Sequence, residues 1–129
     1  MSSTKKVVTN EKVLKMLLTL LLQVKLYHWE TISYSRHKAT DSLFGDLASK
    51  IDRFVEVYSG RYKRINPKKL DIKVKSLSDK KMSVFLEKSR NDISKEVTKI
   101  LSSEDTDLLA IRDEMLESIN QAAYLFSLK

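Results

Sequence analysis

Apolar residues recur along this chain at spacings of three and four, the period of an α-helix with one buried face. Four helical stretches follow from that pattern. The first is expected over about 11–31, with Asn10 as its N-cap. Its apolar positions, from Val13 through Leu26 to Trp29, cover more than one face. A helix apolar nearly all round is buried on several sides, which in a small domain points to subunit contacts. The second is expected over about 36–59, capped by Ser35 and stopped at Gly60, with Leu43, Leu47, Ile51, Phe54 and Tyr58 inward. A third (about 78–102) directs Val84, Phe85, Ile93, Val97, Ile100 and Leu101 inward, and a fourth covers about 106–128. Asp105 and Asp107 near the start of the fourth suit its dipole. Between helices two and three lies a connection over 60–77 with Pro67 and the alternating Leu70, Ile72 and Val74, read as a loop with a short extended piece.

Short links before helices two and four and one long link between two and three imply a single all-α domain over 1–129. Its expected architecture is a ferritin-like four-helix bundle with one crossover, helices one and two pairing and then three and four. Two glycines and one proline among 129 residues remove the turn chemistry that β-sandwiches and barrels need. The absence of cysteine removes disulfides and thiolate metal sites. The first residues lack a signal pattern, and the longest apolar run, Met16 to Val24, is far shorter than the ~20 residues of a membrane span. A soluble, cytoplasmic protein with no membrane partner is expected.

The net charge of +7 sits in one place. Residues 61–81 hold nine basic side chains against Asp71 and Asp79, and the rest of the chain balances at 15 of each sign. Arg61, Lys63, Arg64, Lys68, Lys69, Lys73 and Lys75 are therefore candidates for binding DNA through its phosphates, without sequence preference and with strong salt dependence. The bland alternative is a solvated lysine-rich loop.

Both histidines of the chain lie at the junction of the first two helices. At about 100° per residue, His37, Asp41, Gly45, Ala48, Asp52 and Glu56 share one stripe of the second helix, well away from its core stripe. His37/Asp41 and Asp52/Glu56 are ligand-type pairs at i, i+4, but about 16 Å of helix separates Asp41 from Asp52. One helix cannot deliver both pairs to one ion. Two copies crossing antiparallel about a two-fold axis near residues 46 and 47 can, with small Gly45 and Ala48 at the crossing and His28 completing the shell. Imidazole and carboxylate donors suit iron, with zinc or manganese acceptable. The Glu-x-x-His signature of a site within one subunit is absent. A solvated acidic face is the competing reading of Asp52 and Glu56, and Tyr27 and Trp29 are read as packing residues.

Leu-Tyr-His-Trp at 26–29, His-x3-Asp at 37–41 and Asp-x3-Glu at 52–56 resemble the Dps family, the mini-ferritins; residues 106–128 resemble its last helix more weakly. The link from His28 to His37 is shorter than the family's usual one and lacks its glycine, which marks a divergent member. The resemblance implies a homo-oligomer, a dodecameric cage of two-fold dimers, with a ferroxidase centre between subunits. His28 and His37 would come from one subunit, Asp52 and Glu56 from the other, with Asp41 assisting a second metal position. It implies oxidation of Fe(II) by peroxide or oxygen, iron storage, and a minor redox possibility for Trp29. The alternative is a structural or nucleic-acid-packaging ferritin-like protein whose metal site is vestigial.

Overall fold

The computed structural model describes residues 9–128, and among them the only regular elements are helices. Residues 1–8, read above as lacking a signal pattern, lie outside the described residues. Helix α1 spans Asn10–Glu30, α2 Tyr34–Arg61, α3 Asp79–Asp92 and α4 Thr106–Phe126. The caps differ from expectation by one or two residues. Thr9, not Asn10, caps α1 by accepting from the Lys12 amide at 3.1 Å, and Ser33, not Ser35, caps α2 through the Arg36 amide at 3.3 Å. Each choice puts a hydroxyl three residues before an otherwise orphaned amide. Gly60 does not stop α2; it has no positive φ, and the helix runs on to Arg61. No strand forms over 70–74, because no neighbouring chain segment offers that backbone a ladder.

The third helix passes without a break into one π-helical turn, Ile93–Val97. The α-helical period misplaces part of its inward face. Val84 is exposed, while Met82 and Leu86, absent from the expected set, are buried in the core.

Cross-helix contacts settle the directions. Lys50 meets Ser118, Arg53 meets Glu114 and Arg61 meets Asp105, so α2 and α4 run antiparallel. Arg90 to Asn120 and Arg112 to Thr98 make α3 and α4 antiparallel too. Tyr27 bonds Asp79 near one end of α1, while Lys12 and Val13 lie beside Asp92 and Glu96 near the other. α1 therefore opposes both α3 and α2, to which a three-residue link joins it. It follows that α2 and α3 are parallel, and that residues 62–78 must travel the length of the bundle. The packing order is α1, α2, α4, α3, closed where the π turn meets α1.

Leu17, Val24, Leu47, Phe54, Met82, Leu108 and Met115 are among the side chains removed from water at the centre. The crossover is held to α1 by polar contacts. The Gln23 side-chain amide donates to the Lys75 carbonyl at 2.7 Å and accepts from the Lys75 amide at 3.2 Å, and Ser76 donates to Glu30. Among the described residues no buried side-chain polar atom lacks a hydrogen-bond partner.

Candidate metal centre

His28 occupies the last turn of α1 and His37 the first full turn of α2, so the three-residue link brings them together. Their rings stack at a centroid distance of 4.0 Å with planes 17° apart. Each ring is tied to the other residue's backbone. His28 Nδ1 donates to the His37 carbonyl at 2.9 Å, and His37 Nδ1 donates to the His28 carbonyl at 3.0 Å. A carbonyl oxygen can only accept, so both Nδ1 atoms carry hydrogen, and in the neutral rings both Nε2 atoms keep their lone pairs. A backbone carbonyl holding Nδ1–H is the support that metal-ligating histidines commonly have. The short link leaves His37 in contact with His28.

Thr40, which periodicity and motif spacing did not single out, completes this arrangement. Its hydroxyl donates to the Arg36 carbonyl at 2.7 Å and accepts from His28 Nδ1 at 3.2 Å. Its position three after His37, one helical turn on, was the available signal. His28 is buried, at 6% exposure, and its Nε2 lies 4.0 Å from an Asp41 carboxylate oxygen.

Asp52 and Glu56 stand apart, exposed on the far half of α2. Among the described residues no three side chains of the ligand types are arranged to hold an ion within one chain. The imidazoles stack face to face rather than converging on a point, and Asp41 points to only one of them. The structure thus brings together His28, His37 and Asp41 and leaves Asp52 and Glu56 on an exposed surface.

That surface is shared by two helices. On α1, Leu14, Leu18, Leu21 and Leu22 are half-buried or exposed, and the helical period places them beside the α2 stripe. Lys25 Nζ joins the two, lying 4.5 Å from the Phe44 ring and 5.4 Å from that of Trp29. Trp29, expected to be a packing residue, is 68% exposed, since it projects from the side of α1 turned from the core. A Cβ built at Gly45 meets nothing within 4 Å. Nothing inside this chain demands glycine there, although mid-helix glycine costs about 1 kcal/mol against alanine.

Lys63, Arg64, Lys68, Lys69, Lys73 and Lys75 are all exposed along the crossover. Arg61 is engaged, its Nε donating to buried Asp105 at 3.3 Å. Asp105 also accepts from Tyr62 and from the Ser102 amide at 2.8 Å. The Tyr62 hydrogen bond first, then the Ser102 amide and Arg61, hold the Asp105 carboxyl below its ordinary range; the same hydrogen bond raises the Tyr62 phenol.

A model of a family of unknown function, DUF5856, matches residues 28–126. Over 47 residues the chain is 47% identical to a protein of Enterobacteria phage T4 described as an uncharacterized 14.6 kDa protein in the mobD-ri intergenic region. That match covers 33% of this chain and 37% of the phage protein. No solved structure matches the chain.

Proposed function

The chain belongs to the DUF5856 family, a family of unknown function, and we propose that it is a Dps-like protein that binds and oxidises Fe(II) between two copies of itself. The observation that carries this reading is the His28/His37 pair, with both Nδ1 atoms held by backbone carbonyls and Asp41 alongside. In this reading the fold is a ferritin-like bundle; the parallel pair α2 and α3 and the crossover beside α1 support it. Two α2 helices cross near Gly45, so that Asp52 and Glu56 of one copy face the imidazoles of the other. Imidazole and carboxylate donors hold iron, or zinc or manganese, while leaving positions open for peroxide or oxygen. The exposed leucines of α1 lie on the same surface and bury further apolar area in the dimer, from which a dodecameric cage is built.

Isothermal titration of Fe(II) tests this. Wild type binds iron, and Asp52→Ala with Glu56→Ala abolishes binding. Wild-type binding no stronger than that of the double variant sinks the proposal.

The exposed cations of the crossover favour a second reading, a ferritin-like protein that packages nucleic acid without iron chemistry. Salt-sensitive retention of duplex DNA by a protein that leaves Fe(II) unoxidised supports that one instead.

A further inference from the structure

At the bundle end where α1 finishes and α2 and α3 begin, the chain presents apolar side chains to water. Ile32, in the link between α1 and α2, is 102% exposed, and Tyr34 is 75% exposed. Trp29 precedes them by one turn. Scattered exposed apolar residues need no explanation, but three within six positions, from the last turn of α1 across the link to the first residue of α2, do. The backbone there is firmly held. Ser33 caps α2, Thr31 Oγ1 accepts from the Ser33 amide at 3.2 Å, and the Thr31 amide bonds the Tyr27 carbonyl at 2.9 Å. Ile32 is thus displayed on an ordered turn.

The surroundings are cationic. Tyr27 and Arg36 both reach Asp79, at 2.5 Å to its carboxylate and 2.8 Å to its carbonyl, which fixes the start of α3 beside this turn. Lys80 and Lys81 follow immediately and are exposed, as are Lys38 and Lys75. The acids nearby are engaged. Glu30 accepts from Ser76, and Asp79 accepts from Tyr27. Over 28–38 and 75–83 the basic residues are Arg36, Lys38, Lys75, Lys80 and Lys81 against Glu30 and Asp79, an excess of three positive charges.

We propose that this bundle end docks on an anionic phospholipid surface, with Ile32 and Tyr34 entering the headgroup layer and the lysines pairing with lipid phosphates and carboxylates. An apolar turn open to water and flanked by exposed lysines is complementary to a plane of negative headgroups. Tip-to-tip contact with a second copy would instead set like charges together. Aromatic rings and lysine stems are stable where apolar and polar layers meet, because each offers an apolar body and a polar end. No helix among the described residues is long and apolar enough to cross a membrane, and surface attachment requires none. A single-stranded nucleic acid could stack on Trp29 and Tyr34, but it gives the Ile32 side chain nothing to enter.

Trp29 is the chain's only tryptophan and serves as the reporter. The full-length protein is mixed at low salt with vesicles of phosphatidylcholine and phosphatidylserine in equal parts, and with vesicles of phosphatidylcholine alone. The expected result is cosedimentation and a blue shift of Trp29 emission with the first only. Ile32→Asp combined with Tyr34→Ser removes both entering side chains and should weaken that partition by at least about tenfold, a factor that the loss of a single buried apolar side chain already reaches. Ile32 is fully open to water, so its replacement disturbs no packing, and an unchanged circular dichroism melt verifies that the variant is folded. Three outcomes overturn the proposal: no partition into the anionic vesicles, equal partition of wild type and variant, or a Trp29 response to a single-stranded oligonucleotide with none to lipid.

Discussion

Asp105 shows how one residue can join two helices. It is 2% exposed, stands just before α4, and gathers Tyr62, Arg61 and the Ser102 amide. The sequence suggested only a helix-dipole role for it, because Tyr62 and Arg61 lie more than forty residues away and leave no local trace. Its carboxyl is held below the usual range, so the stability it contributes is complete above the ordinary carboxylate pKa and is lost as pH falls through the depressed value. Asp105→Asn should lower the melting temperature at neutral pH, with the gap to wild type closing under acid; a gap independent of pH would assign the loss to packing. On the alkaline side the sign is reversed. The raised Tyr62 phenol contributes below its ordinary pKa and ceases to as pH climbs through the raised one, so Tyr62→Phe should flatten that limb of the stability profile.

At the scale of the element, α2 carries three separate surfaces on one helix. Leu43, Leu47, Ile51, Phe54 and Tyr58, the stripe expected from periodicity, are all buried. Phe54, fully removed from water, should cost about 3–5 kcal/mol when replaced by alanine, measured by denaturant unfolding. A second surface, with Lys50 and Arg53, meets α4. The third bears Gly45 between the two ligand-type pairs. Because a Cβ there meets no atom of this chain, Gly45→Leu should leave the monomer's circular dichroism intact. If two α2 helices cross at this point, the same variant should shift sedimentation from dimer or larger to monomer. A wild-type protein that already sediments as a monomer would remove the shared site.

For the whole molecule, the parallel placement of α2 and α3 has the widest consequences. It obliges residues 62–78 to run the length of the bundle, where polar contacts hold them to α1, and so draws the cations out along it instead of gathering them in a compact loop. A linear array of lysines neutralises successive phosphates, so DNA affinity, where present, should fall steeply with salt. Replacing Lys68, Lys69 and Lys73 by glutamine should reduce the slope of log K against log salt by about 0.9 for each phosphate that is no longer neutralised. An unchanged slope would return those residues to the role of solvated loop.

The linear order of residues was enough to determine four helices, their approximate limits, most of their inward positions and the grouping of both histidines at one junction. These depend on interactions within a few turns of chain, where a spacing of three or four is itself the physical cause. Tertiary structure alone decided the rest. The π turn at 93–97, the burial of Met82 and Leu86 in place of Val84, the reciprocal binding of His28 and His37 and the burial of Asp105 arise from contacts between elements. The residues that make them are ordinary in their own neighbourhoods and acquire their roles from whatever the fold sets opposite.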